Sequence, residues 1–230
     1  MITKQTIKRS VDELSAITGV AITVLDLRGE LVAQAGSSEE SAQDGMEPLP
    51  VWDDEQIRYT LTASGENAEM VARIAAAQLH ELLIAYQERI DRNNFFQNLL
   101  LDNLLLVDIY NRAKKLHIED NVRRVVYLVE VGWVEDTAAV DYLNGMFAPG
   151  SGDYVTAVDE TSAIVVKALP EGDENKEMNA IAASIVGMLN AEAMINARVA
   201  YGTPVDELKD LSKSYKEAML ALEVGRIFYA

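Results

Sequence analysis

The chain has 230 residues, 49% of them hydrophobic and 25% charged, the balance of a globular protein long enough for two ordinary domains. Its formal net charge of -17 argues against direct contact with nucleic acid or an anionic membrane, since both are held mainly by Lys and Arg. With no cysteine, a disulfide framework, a thiolate zinc site, a thiol nucleophile and an iron–sulfur cluster are excluded. No apolar run approaches the ~20 residues that span a bilayer, and the N-terminus MITKQTIKRSVDEL is amphipathic rather than signal-like, so the reading is cytoplasmic.

In chain order, Ile7, Val11, Leu14 and Ile17 recur at helical spacing, and Gly19 is expected to end that helix. VAITVLD (20–26) and ELVAQA (30–35) read as a hairpin across the tight turn Arg28-Gly29. Residues 36–48 are polar, acidic and Gly/Ser-containing, and read as a loop. LPVW (49–52) and QIRYTLTA (56–63) form a second hairpin around Asp53-Asp54-Glu55. Residues 1–65 are therefore expected to be a small antiparallel sheet with one face covered by one helix.

From Glu66 the pattern becomes a long helix, free of Gly and Pro, over 66–104. One seam position holds Ala76, Leu83, Ile90 and Gln97, and the alternate one holds Leu79, Tyr86, Asn93 and Leu100. No internal partner is evident for the whole apolar face, so a homodimer is expected, with Leu79, Leu83, Tyr86 and Ile90 at its interface. The other reading is packing on its own domain, a kink near Asn93-Asn94 and a separate helix to Leu116. Residues 66–118 form this dimerisation and signalling region.

Residues 119–230 read as strand 122–131, helix 137–147, strands 153–158 and 162–169, helix 174–193, strand 195–202 and a helix from about Val205 to the end. The order βαββαβ is ferredoxin-like, with the helices expected on one face. The fold class is α+β.

This second half resembles a degenerate GGDEF-type domain, the fold of diguanylate cyclases. Tyr127-Leu128-Val129-Glu130-Val131-Gly132 stands at the first strand, Val158-Asp159-Glu160-Thr161-Ser162 at the hairpin tip, and Arg198-Val199-Ala200-Tyr201-Gly202 with the helix from Glu207 to Phe228 at the closing segment. Together with VDELSAITGVAITVLDLRGELVAQAG, which resembles a PAS-like sensor, and the helix Glu88 to Asn103, the whole order is similar to the sugar-diacid (carbohydrate diacid) recognition regulators of the CdaR/PucR type. That resemblance implies a ligand-responsive transcription regulator. It would touch DNA only through a C-terminal helix-turn-helix that is expected to follow this chain, which would then be a truncated piece.

The resemblance also implies where chemistry would sit. Glu130 matches one metal-binding acid, but Gly132 stands where the second would be, and the tip carries Asp159 and Glu160 in place of glycines. Acids beside a polyphosphate oppose its binding unless metal is present. No catalytic residue, metal or cofactor is therefore assigned. His80 and His117 are far apart, each read in a helix, and are expected to be ordinary. Gly150-Ser151-Gly152 reads as a turn, and Asp108 to Lys115 as a solvated helix face. For a small-molecule effector the candidates are Arg28, Trp52 and Arg58, since an aromatic and cations at a sheet can hold an anionic or planar metabolite. The competing reading has Trp52 filling core and the arginines neutralising the acidic loop. That loop carries Glu39, Glu40, Asp44, Glu47, Asp53, Asp54 and Glu55 and would repel a dicarboxylate.

Overall fold

The structure is a computed structural model that describes residues 2–36, 47–53, 55–131, 138–147, 152–159, 161–170, 174–192 and 194–228. They fall into two units, Met1–Ile90 and Asp91–Ala230. The division lies inside the long helix Ala68–Leu100.

In the first unit, α1 (Lys4–Thr18) starts where the Thr3 hydroxyl accepts the Thr6 N–H at 3.2 Å. It stops at Gly19, whose left-handed φ of 71° lets its N–H reach the Ser15 carbonyl at 2.8 Å. β1 (Ala21–Asp26), β2 (Leu31–Ala35), β3 (Leu49–Asp53) and β4 (Gln56–Ser64) form one antiparallel sheet in the order β2-β1-β4-β3. The register sets Ile22 beside Ala35 and Ala63, and Val24 beside Ala33 and Leu61, all on the buried face. Thr23, Thr60 and Thr62 alternate with them and are half-buried.

One helix does not fill that face. Ile7 and Val11 of α1 share a single core with Val71, Ala72, Ala75, Leu79 and Leu83 from α2 (Ala68–Leu100). Leu79 and Leu83, expected at a homodimer interface, are 2% and 6% exposed inside their own unit. The sheet is tethered to α2 by a short connection, so it meets the helix's apolar stripe at far higher effective concentration than a second chain can. Tyr86 and Ile90 are half-buried.

In the second unit, α2 runs through Asn93-Asn94 without interruption and breaks after Leu100, where Asp102 adopts a positive φ of 63°. α3 (Leu106–Lys115) follows. β5 (Arg124–Glu130), α4 (Ala138–Met146), β6 (Tyr154–Ala157), β7 (Ser162–Ala168), α5 (Glu174–Glu192), β8 (Arg198–Tyr201) and α6 (Leu211–Phe228) complete the unit, with a 3-10 turn at Leu208–Asp210. The antiparallel order β6-β7-β5-β8 is the ferredoxin-like arrangement expected from βαββαβ.

The helices do not lie on one face. Val125, Tyr127 and Val129 pack with Leu143 of α4 and Ile185 and Leu189 of α5. Val126 and Leu128 point the other way, into Phe95, Phe96 and Leu99 of α2, Ile109 of α3, and Leu211 and Tyr215 of α6. A signal for this was present: β5 reads RVVYLVE, with an unbroken apolar run, and every residue but its last is buried. A sheet covered on one side alternates; a strand that does not alternate needs cover on both.

Gly202 lies directly against α6. A Cβ there would overlap the backbone carbonyl of Ser214 in α6. That proximity lets the fully buried Ser214 hydroxyl accept the Val126 N–H at 3.1 Å. We expect Gly202→Ala to cost about 3 kcal/mol or more, because backbone rather than a flexible side chain must move; urea unfolding measures it. We also expect Leu83→Ala to cost about 2–5 kcal/mol by leaving a cavity in the first unit. Its melting temperature should fall by the same amount at every protein concentration, whereas a dimer contact would give a concentration-dependent loss.

Candidate functional site

Glu130 ends β5, and the strand register places Arg198 of β8 directly across from it. The Arg198 Nη1 lies 3.8 Å from Glu130 Oε2, and Arg226 of α6 pairs with Oε1. Three elements thus converge on one carboxylate whose side chain is only 19% exposed. A group so enclosed needs a counter-charge, and two guanidiniums provide it. Arg226 was not singled out from the sequence. A cation four turns along an amphipathic helix has no local signal that ties it to a strand end.

Beside this carboxylate stands the hairpin tip. The Asp159 Oδ1 accepts both the Thr161 N–H at 2.8 Å and the Thr161 hydroxyl at 2.9 Å, which closes the turn on itself. The Thr161 carbonyl in turn accepts the Val131 N–H at 3.0 Å. Asp159 is therefore used in holding the loop. Gly132, Gly150, Ser151 and Glu160 lie outside the described residues.

The resemblance of this half to a GGDEF-type domain meets a direct finding here, for residues 103–224 match the family model described as a GGDEF-like domain. The chain belongs to the GGDEF-like domain family. No curated protein matches it. Two solved structures of PelD from Pseudomonas aeruginosa PAO1, each running from residue 158 to the C-terminus, are similar at 11% and 12% identity over 88% of this chain and 83% of theirs. The first of them is a complex with c-di-GMP. Their TM-scores are 0.26 and 0.28, and likeness at that level carries no ligand across.

Within the GGDEF-like unit the sequence also concealed Arg124, which is 2% exposed near the start of β5. Its Nη1 donates to the Val122 carbonyl at 3.3 Å, and desolvation lowers its pKa. Its Nε and the Oδ1 of Asp120 are buried without a hydrogen-bond partner among the described residues. Ordered water commonly fills such a place. Tyr127 is buried on the opposite face, its hydroxyl donating to the Met178 carbonyl at 3.3 Å, and burial pushes its pKa up. Among the described residues no group of three or more His, Asp and Glu side chains is arranged to hold a metal ion.

In the first unit, the three candidate ligand contacts share one end of the sheet, because Asp26 pairs with Tyr59 and Trp52 with Ile57. Arg28 is exposed and Arg58 half-buried. Trp52 is 43% exposed, so it does not fill core. Its carbonyl accepts a hydrogen bond from the Nδ1 of His80 at 2.8 Å, which ties edge strand β3 to α2. The turn holding Arg28 is organised by Asp26, whose Oδ1 accepts the N–H groups of Arg28 and Glu30, each at 2.8 Å. The Glu30 N–H is the main cause of the lowered pKa of Asp26. His117, expected in a helix, instead follows α3 with a positive φ of 54°.

The two arginines on Glu130 are about half exposed, which limits what the cluster contributes. We expect Glu130→Gln to change unfolding free energy by about 1 kcal/mol or less at low salt, with the difference shrinking at high salt. Urea titrations at two ionic strengths measure both.

Proposed function

We propose that this chain is the sensory part of a cytoplasmic, ligand-responsive regulator of transcription, in which the GGDEF-like unit serves as a scaffold rather than a nucleotide cyclase. One observation carries the scaffold assignment: the carboxylate at the first-strand metal position, Glu130, is engaged by Arg198 and Arg226. Nucleotidyl transfer on this fold needs metal ions held by carboxylates and aligned on a phosphate. A guanidinium pair on the strand acid competes for the same oxygens, and Asp159 is already spent on the hairpin turn. The effector is assigned to the first unit, where Arg28, Trp52 and Arg58 gather at one sheet end.

A second reading has support from the family match alone: a receptor that binds a nucleotide without transforming it. The two readings separate in one pair of measurements. Incubation with GTP and Mg2+ or Mn2+ is expected to give no cyclic product by mass spectrometry; turnover that disappears in Glu130→Gln overturns the scaffold assignment. In a melting panel, a metabolite that stabilises the chain and loses its effect in Arg28→Ala or Arg58→Ala supports the sensor. A ligand at 100 times its Kd adds about 2.7 kcal/mol. Stabilisation by GTP or a cyclic dinucleotide, unaffected by those substitutions, moves the assignment to the nucleotide receptor.

A further inference from the structure

β8 lies at the edge of its sheet, with one side paired to β5. The bond from the Gly202 N–H to the Val126 carbonyl, 3.1 Å, fixes the phase of that ladder. The alternation of an antiparallel pair then turns the N–H and C=O groups of Val199 and Tyr201 away from β5. Along this outer side runs a groove of about 320 Å3, floored by Ala197 and by β8 from Arg198 to Ala200, and walled by Val186 of α5 and by Leu222 and Gly225 of α6. Natural edges are commonly blunted with Pro, Lys or a bulge. The β8 residues Val199-Ala200-Tyr201 carry no Pro or charge, the one charge of the strand, Arg198, stands at its first position, and the pairing with β5 is regular.

The groove is also marked by charge. Arg198 and Arg226 line it, with side chains 56% and 49% exposed, and they share the one carboxylate of Glu130. Two cations against one anion leave a positive locus on a chain whose net charge is -17. Small residues complete the lining, and above Gly225 a Cβ would meet nothing within 4 Å. Main-chain groups along an open edge give affinity for an extended strand, and the flanking pockets and charges select its side chains.

We propose that this groove docks an extended, carboxylate-bearing segment of a partner protein, added beside β8 as a fifth strand of the sheet. The proposal uses the outer edge of β8 and shares Arg198 and Arg226 with the Glu130 cluster; peptide binding reads it directly, whatever the unit does with a nucleotide.

The test uses the full chain, 15N-labelled, and two capped hexapeptides, one alternating Val and Glu, the other alternating Val and Lys. The Val-Glu peptide is expected to bind saturably and to shift the amides of Val199 and Tyr201, with the Val-Lys peptide giving neither effect. Gly225→Leu plugs the groove at a place with open space and favours the helix, so folding is retained, as circular dichroism checks. It should weaken the Val-Glu peptide at least ~tenfold. Arg198→Glu with Arg226→Glu should reverse the preference toward the Val-Lys peptide. The proposal is overturned by unshifted amides at millimolar peptide, by equal binding of both peptides, or by affinity indifferent to Gly225→Leu in the folded variant. It is equally overturned if glutarate alone reproduces the shifts at the same concentration, which would make the groove a small-anion site.

Discussion

The approach of α6 to the sheet at Gly202 and Ser214 is the constraint on which the second unit rests. A helix packed on a sheet ordinarily stands off by the thickness of its side chains. Here the absence of a Cβ at Gly202 admits helix backbone, and the Ser214 hydroxyl takes up the Val126 N–H of the central strand. With that contact fixed, the rise of ~1.5 Å per residue along α6 sets how far Arg226 stands from the anchor. It arrives at the end of β5, on Glu130. Electrostatics at the candidate site therefore depend on a packing contact roughly three turns away along the same helix.

The same constraint explains the shape of the outer groove. α5 and α6 cover opposite faces of the sheet, and β8 lies at the rim between them. Where the two layers leave small residues, Ala197, Ala200, Ala221 and Gly225, the rim opens instead of sealing.

Most of the architecture was legible in the sequence because hydrophobic period reports which faces are covered. Helix α1, its Gly19 stop, both hairpins of the first sheet and the order βαββαβ all emerge from local pattern. What was not legible depends on partners distant in sequence. Leu79 and Leu83 look the same on a helical wheel whether they meet a second chain or their own sheet. Helices on both faces of the second sheet were readable in RVVYLVE, but that requires reading a lack of alternation as information. At the site, Glu130 and Arg198 stood out through family resemblance, whereas Arg226 and the buried Arg124 could emerge only from three-dimensional placement. Trp52 was ambiguous between core and surface, since an aromatic on an edge strand suits either.

Two amides within the apolar face of α2 have a consequence of another kind. Asn93 and Gln97 are the polar members of the seam read from the sequence, and the Thr156 hydroxyl bonds to the Asn93 side chain while Gln97 donates to the Ala157 carbonyl, both on β6. Greasy surfaces such as Phe95, Phe96 and Leu99 offer little resistance to sliding, because one apolar neighbour serves nearly as well as another. A one-turn slip of ~5.4 Å would strand both amides and both β6 groups without partners. The pair acts as a vernier, selecting one alignment of helix on sheet out of several that burial alone would leave nearly equal in energy.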